Sequence, residues 1–243
     1  MAKSDSRDRW VIGIDDTDMP TLGGTGQLAR RLAADIEQGQ LGASGGVTRH
    51  QLFEGPGVPK TSRNSAAAVE FSGVESAEKL IEAATEIVAR EAIAGSDPGV
   101  ALAQLKPCDE LLGFGQAAQA GLVTQEQARR VAGLAGIYHE GLGGDGGGVI
   151  GAVAAVGLRI GGNDGRFVGL PGIREIAGVV TVADILERTE IVATIDEADS
   201  TLLGPDIAVD LGDWVRPRLI GGRPVLVARH DGTRWMNADT RPS

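Results

Sequence analysis

Three aspartates that directly follow an apolar segment are the residues of this chain best suited to chemistry. Residues 10–14 are apolar, and Asp15, Asp16 and Asp18 come immediately after them. Carboxylates crowded at the end of a strand repel one another unless a cation or a polar ligand lies between them. The cluster therefore predicts a site at which Asp15 and Asp18 bind Mg²⁺ and Asp16 assists. An ordinary acidic turn, bonded to local amides, is the alternative.

A glycine-rich turn follows the aspartates and predicts a phosphate site. Gly23 and Gly24 allow the backbone to approach a ligand closely, and a helix is predicted to begin near Thr25. Since the N-terminus of a helix favours anions, these three residues are predicted to hold phosphate groups. The Thr25 hydroxyl is either a helix N-cap or a phosphate-contacting group, and the sequence leaves both open.

Two further polar segments are candidates for binding anions. Lys60, Arg63 and Asn64 lie in a loop braced by proline and glycine, and they predict contacts to the phosphates of a nucleotide; a solvated loop is the alternative. The glycine run at 143–148 is a second candidate cradle, with Asp145 as its polar group. A run of this kind can also serve close packing alone.

Composition restricts the classes of function. The chain has 243 residues, is 42% hydrophobic and 3% aromatic, and carries a net charge of −10, which suits one large or two small globular domains. No basic run exceeds two residues, so a large nucleic-acid partner is not expected. The single cysteine, Cys108, excludes an internal disulfide and a cysteine-based zinc module. Without a signal peptide or a membrane-length apolar run, we expect a cytoplasmic protein and no membrane partner; a homo-oligomer is left open.

Apolar spacing predicts a mixed α/β fold. Its first half should contain strands at 10–14, 46–53, 65–71 and 100–105 and helices at about 25–39 and 76–95. The second half should contain helices at about 109–120, from Thr124 onward and along the small, apolar residues 149–157, followed by a β-rich tail from about 202 to 235.

Several of these segments together resemble the archaeal agmatidine synthetase family. The family is similar at Ile12-Gly13-Ile14-Asp15-Asp16-Thr17-Asp18, at Val58-Pro59-Lys60-Thr61 with Asn64-Ser65-Ala66, at Asp97-Pro98-Gly99-Val100 and at Gly144-Asp145-Gly146-Gly147-Gly148-Val149-Ile150-Gly151-Ala152. The first and last of these motifs are the more specific ones. The resemblance does not extend to the OB-fold and zinc ribbon with which that family grips tRNA.

The resemblance implies an architecture and a reaction. It implies a kinase-like α/β domain that binds ATP and Mg²⁺ at 1–106, a ferredoxin-like domain at 107–205 and a β-rich tail at 206–243. Thr25 falls at the position of the family's phosphate-accepting threonine. Asp145, Gly146 and Gly148 would line the pocket for a small substrate, in which Asp145 pairs with a cationic amine.

Three functions follow as hypotheses from these observations. The first is an ATP- and Mg²⁺-dependent enzyme of the ligase or phosphotransferase kind, which phosphorylates a carbonyl oxygen of a small molecule for attack by an amine. The second is a nucleotide-binding sensor or subunit without catalysis. The third is a tRNA modifier that works with a separate RNA-binding partner.

Overall fold

A computed structural model of the chain describes residues 9–15, 24–58, 64–92 and 95–239. The chain divides into two compact units, Met1–Gly161 and Gly162–Ser243. Both units mix helices with β-strands, which confirms the predicted α/β class.

The first unit contains five strands and five helices within the described residues. In chain order they are β1 (Trp10–Asp15), α1 (Thr25–Gln38), β2 (Ala43–Gln51), β3 (Ser65–Ser72), α2 (Ala77–Glu91), β4 (Gly99–Gln104), α3 (Asp109–Ala120), α4 (Gln125–Ala135), β5 (Tyr138–Gly141) and α5 (Val149–Gly161).

The strands of this unit form a sheet in the order β5-β4-β1-β3-β2, in which every neighbouring pair is antiparallel. The first six elements therefore have the split β-α-β arrangement, in which α1 connects β1 to the parallel strand β2 and β3 lies between them. This arrangement occupies residues 10–104. The kinase-like label for 1–106 and the ferredoxin-like label for 107–205 stay predictions.

Antiparallel pairing brings several chain segments to the same end of the sheet. Asp15, the last residue of β1, pairs with Gly99 at the start of β4, and Gly99 also pairs with Gly141 at the end of β5. At the opposite end, Trp10 of β1 pairs with Gln104 of β4. We call these ends of the sheet the Asp15 edge and the Trp10 edge.

Helices cover both faces of the sheet because each strand alternates its side chains. Val11 of β1 belongs to the core that the sheet forms with α3, α4 and α5. Ile12 and Ile14 are fully buried and point to the other face, where α1 packs on β2 and β3 and against α2. The start of α1 and the start of α5 thus lie on opposite faces.

Small residues allow α5 to pack tightly on its surroundings. Ten of its 13 residues are buried, and most of them are glycine, alanine or valine. Helix α5 contacts β1, β3 and β4 on one side and α3 on another. The predicted close packing of the apolar segment 149–157 is therefore confirmed, although the helix continues to Gly161.

A buried ion pair joins α5 to the sheet. Arg159 Nη2 lies 2.6 Å from Glu70 Oε2, and the two side chains are 2% and 6% exposed. Burial lowers the pKa of Arg159, while the Glu70 carboxylate opposes this shift, and the guanidinium stays charged at neutral pH. Arg9 donates a second charged hydrogen bond to the same carboxylate.

The second unit is a small β-rich body. Its elements are β6 (Arg166–Gly169), β7 (Val179–Thr181), α6 (Val182–Arg188), β8 (Ala193–Asp196), β9 (Ala208–Asp210), β10 (Arg218–Ile220), β11 (Arg223–His230) and β12 (Trp235–Asn237). The strands follow the order β6-β10-β11-β12-β9-β7, with β8 parallel to β11. Its core includes Ile185, Leu211 and Leu226. No helix in the described part of either unit is long and apolar enough to cross a membrane.

The predicted elements of the first unit agree with the structure in type, and their ends differ by a few residues. Ser76 caps α2 and accepts a hydrogen bond from the Lys79 amide, as predicted, but α2 ends at Glu91 rather than Gly95. The capping box of α4, from Thr124 to Gln127, is confirmed. The short strand β5 was not predicted, since its four residues show no periodic pattern.

The buried ion pair gives a stability prediction. Glu70→Gln removes the charge that compensates Arg159, and we expect the free energy of unfolding to fall by about 3–5 kcal/mol. The control is Glu197→Gln. The Glu197 carboxylate pairs with Arg218 at a half-exposed position, so we expect its removal to lower the free energy of unfolding by less than about 1 kcal/mol. Urea unfolding of both variants measures the difference, and equal losses would contradict a structural role for the pair.

Candidate functional site

The structure places every described candidate residue of the first unit at the Asp15 edge. Asp15 ends β1, Asn64 directly precedes β3, and the loop that contains Asp145 connects β5 to α5. Because α1 leads from β1 to the parallel strand β2, its first residue, Thr25, also lies at the edge where β1 ends. Segments far apart in sequence are therefore brought to one end of one sheet.

The Asp15 carboxylate lies against the first turn of α5. Gly151 is the third residue of that helix, and a Cβ atom added there would overlap the Asp15 side chain. Glycine at 151 is thus the residue type that leaves room for this carboxylate. A carboxylate beside a helix N-terminus is stabilised by the partial positive charge of the aligned peptide groups. Asp15 is partly exposed, so its side chain remains accessible to a ligand.

A second close approach holds the α5 start against β4. A Cβ added at Gly99 would overlap the backbone of Gly148 and Val149. The Gly148 amide donates a hydrogen bond of 2.8 Å to the Asp97 carbonyl, and this bond also holds the loop before α5 against the start of β4. Gly148 therefore serves close packing, and this packing sets the position of the start of α5 beside Asp15. The ligand-binding interpretation of the loop stays a prediction.

Three described helices, α1, α4 and α5, begin at the Asp15 edge, and α4 starts beside Asp145. Of these, α1 and α5 differ from all the other described helices in the charges of their first turns. Neither α1 nor α5 has an acidic residue in its first turn, whereas α2, α3, α4 and α6 all have one. The N-cap of α1 is Gly24, which offers no side-chain hydrogen bond. The positive end of α1 therefore has no carboxylate within its own first turn, which suits an anionic ligand.

Thr25 is the first residue inside α1 rather than its N-cap. The N-cap position belongs to Gly24, whose carbonyl accepts a hydrogen bond from the Gln27 amide at 2.7 Å. Thr25 is 8% exposed. The capping interpretation of its hydroxyl is thus wrong, and the phosphate-contacting interpretation stays a prediction.

Asn64 has a structural role in this geometry. Its side-chain amide donates to the Phe53 carbonyl at 2.9 Å, and its own carbonyl accepts from the Leu52 amide at 2.9 Å. These bonds close the connection between β2 and β3. The side-chain oxygen of Asn64 is the part of this residue that could still contact a ligand.

Four amides of the glycine loop are hydrogen-bonded, two within the loop and two to Asp97. The Asp145 carboxylate accepts from the Gly147 amide at 2.8 Å and from Gln125 at 3.3 Å, and the Gly146 amide donates to the Gly143 carbonyl at 3.0 Å. The loop is thus folded onto itself, and Asp145 remains exposed at its rim. The predicted substrate contacts of Asp145, Gly146 and Gly148 stay predictions.

Asp97 is a residue of this edge to which sequence analysis assigned no role. Its Oδ1 accepts from the Asp145 amide at 3.0 Å, and its carbonyl accepts from Gly148. A side chain at Gly144 would overlap the Asp97 carboxylate. Asp97 thereby ties the start of β4 to the loop before α5. Its place before Pro98 and Gly99 had indicated only a turn, and nothing local in the sequence shows a partner 48 residues away.

The remaining candidates, Asp16, Asp18, Gly23, Lys60 and Arg63, lie outside the described residues. Among the histidines, cysteine and acids that are described, no group of three is arranged to hold a metal ion. Asp15 is therefore the described carboxylate on which the proposed metal site depends. His50 is buried, and its Nε2 lies 2.9 Å from the Thr48 hydroxyl.

Comparisons with known proteins identify structural neighbours only. No protein-family model matches the chain, and no curated protein matches it. Among solved structures, a tRNA fluorescent labeling enzyme is similar with a TM-score of 0.54 and 28% identity, covering 61% of this chain and 36% of its own. A complex of TiaS with an isoleucine tRNA, AMPCPP and agmatine is similar with a TM-score of 0.53 and 27% identity, covering 62% and 36%.

A third neighbour is a complex of TiaS with the same tRNA and ATP, with a TM-score of 0.53, 27% identity and coverage of 62% of this chain and 36% of its own. TiaS is the agmatidine synthetase of that isoleucine tRNA. The chain spans about a third of the length of these structures. The similarity supports a TiaS-like fold, in agreement with the resemblance that the motifs carry.

The contact between Asp15 and α5 predicts the effect of one added methyl group. Gly151→Ala should push the Asp15 carboxylate aside and weaken the binding of Mg²⁺-ATP by about 10- to 100-fold, as happens when a supporting contact of a metal ligand is lost. The control, Gly113→Ala, adds a methyl group to open space on α3 and should raise stability by about 0.5–1 kcal/mol. Calorimetric titration measures the affinity of both variants for Mg²⁺-ATP. An unchanged affinity in Gly151→Ala would show that Asp15 takes no part in binding the nucleotide.

Proposed function

We propose that the chain is an ATP- and Mg²⁺-dependent enzyme whose nucleotide binds at the Asp15 edge. The observation that carries the proposal is that one end of the sheet holds both an accessible carboxylate, Asp15, and the start of α1, which lacks an acidic first turn and a side-chain cap. A metal-bound polyphosphate needs both parts, since the metal takes carboxylate and phosphate oxygens and the phosphates favour a helix N-terminus. The similarity to the TiaS structure with ATP supports the same assignment.

Each residue has one task in this proposal. Asp15 and Asp18 would hold Mg²⁺, with Asp16 assisting, and the metal would neutralise charge on the transferring phosphoryl group. The backbone at Gly23, Gly24 and Thr25 would bind the phosphates at the positive end of α1. Lys60 and Arg63, with Asn64, would stabilise the charge that develops in the transition state.

The proposed reaction activates a carbonyl oxygen. That oxygen attacks the γ-phosphorus of ATP, the bond from this phosphorus to ADP breaks, and a phosphorylated substrate results. An amine then attacks the carbonyl carbon and expels phosphate, which leaves a carbon–nitrogen bond. Asp145, exposed at the rim of the same edge, would attract a cationic amine. A phosphorylated Thr25 would be an additional step and is readable as added mass after incubation with ATP.

The neighbours favour tRNA as the molecule that carries the carbonyl. Two of the similar TiaS structures contain an isoleucine tRNA, and another neighbour is named as a tRNA labeling enzyme. The net charge of −10 argues against a tight RNA complex of this chain alone. We therefore propose a small-molecule substrate first and tRNA, delivered with a separate RNA-binding partner, as the second candidate.

Removing the charge of Asp15 should stop the reaction and preserve the fold. We expect Asp15→Asn to reduce the release of ADP or AMP from Mg²⁺-ATP, measured with agmatine in the presence and absence of total tRNA, by on the order of 100-fold or more. Asp109→Asn, an exposed change in the first turn of α3 at the Trp10 edge, is the control and should react at the parent rate. If Asp15→Asn consumed ATP as fast as the parent protein, the assignment of Asp15 to the Mg²⁺-ATP site would be contradicted.

Binding of tRNA by this chain alone can be tested directly. We expect total tRNA to give little or no gel shift at low salt, because the acidic chain offers few phosphate contacts, and any weak shift should vanish on adding salt. A poly-anion of matched charge, heparin, is the control for non-specific binding. A complex that survives moderate salt and is not competed by heparin would make tRNA the first candidate substrate and would contradict the expected separate RNA-binding partner.

A further inference from the structure

A cavity of about 320 Å³ lies in the first unit at the Trp10 edge, away from the candidate nucleotide site. Trp10 lines it, whereas Asp15 lies five residues further along the same strand, which corresponds to about 17 Å. The cavity shares no lining residue with the site proposed above. It is therefore a separate place on the same sheet.

The cavity exists because β5 is shorter than β4. The pairing of β4 with β5 ends at Leu102 and Tyr138, and β4 continues to Gln104. Side chains from the start of α2, including Ala77 and Ile81, from the first turn of α3, including Leu111, and from the end of α4 surround this gap. A pocket formed by several rigid elements keeps its shape without a ligand.

Most of the residues that line the cavity are aromatic or aliphatic. The chain has three tryptophans and one tyrosine, and both Trp10 and the only tyrosine, Tyr138, line the cavity. Tyr138 is 39% exposed and donates a hydrogen bond to Glu140, which fixes its ring. Aromatic faces with aliphatic neighbours favour the stacking of a planar ring. The volume lies at the lower end of the range for ligand pockets, which suits one or two rings.

The rim of the cavity carries balanced charge. Glu78 and Lys106 both line it, and Gln104 adds an amide. Hydrogen bonds to its own backbone amide and to Ser76 lower the pKa of Glu78, so that this carboxylate is ionised at neutral pH. One negative and one positive charge favour an uncharged ligand with polar edge groups over a simple cation or anion. We propose that the cavity binds an uncharged planar heteroaromatic ring of the size of a nucleobase, stacked on Trp10.

The only cysteine of the chain makes the proposal testable at one position. Cys108 lines the cavity and is partly exposed. A thiol reagent can therefore modify the chain at this place alone, and a bound ring should shield it. The test measures the rate of N-ethylmaleimide addition to the full chain by intact mass, with adenosine, cytidine or a single-stranded RNA oligomer as probe.

We expect at least one probe to slow the modification by about tenfold or more at saturation. Shielding by a nucleoside would identify a free heterocycle as the ligand, and shielding by the oligomer alone would identify a base within RNA. Trp10→Leu should raise the probe concentration that gives half-maximal shielding by about 5- to 150-fold, as expected for the loss of one base-stacking aromatic residue. Trp214→Leu, in the second unit, is the matched control and should retain the shielding.

Two further variants keep the result interpretable. Ala77→Phe places a ring inside the cavity from the first turn of α2 and should abolish shielding even if Trp10→Leu fails to fold. Asp15→Asn should leave shielding unchanged, which separates this cavity from the nucleotide site. The proposal is overturned if no probe slows the modification, or if shielding persists in Ala77→Phe or disappears in Asp15→Asn.

Discussion

The close packing of α5 on the sheet is the constraint on which the candidate site depends. Glycine at 151 and at 99 removes the side chains that would otherwise separate the helix start from the ends of β1 and β4. The first turn of α5 therefore lies under the Asp15 carboxylate. The buried pair of Arg159 and Glu70 fixes the same helix to the sheet near its other end. The geometry of the candidate site and the packing of this unit thus share one helix–sheet contact.

The two ends of the sheet have different chemistry. The Asp15 edge combines carboxylates and glycine loops with two helix starts that have no acidic first turn. The Trp10 edge has a cavity lined by aromatic and aliphatic residues, and the helices that begin there, α2 and α3, carry acids in their first turns. Antiparallel pairing creates this division, because it brings strand ends and strand starts together at each end. The proposed nucleotide would use the first edge, and the proposed uncharged ring would use the second.

Much of the fold and part of the site could be predicted from local sequence patterns. Apolar periodicity and the caps at Ser76 and Thr124 located the helices of the first unit but not α6. The position of Asp15 after an apolar strand indicated the candidate site. The contact of Asp15 with Gly151 and the bond from Asp145 to Asp97 could not be predicted, since long-range pairing creates them. The start of α1 near Thr25 was predicted, but the choice of Gly24 as its N-cap was not, because a glycine N-cap leaves no side-chain signal.

The central claim is that Asp15 and a nucleotide share one site through a divalent cation. The most direct measurement is the thermal midpoint with Mg²⁺, with ATP and with both, for the parent protein and for Asp15→Asn. At about a hundred times its dissociation constant, a ligand adds roughly 2.7 kcal/mol, a shift of a few degrees. We predict a shift that requires both Mg²⁺ and ATP and is lost in Asp15→Asn. An equal shift in the variant, or none in the parent protein, would contradict the claim.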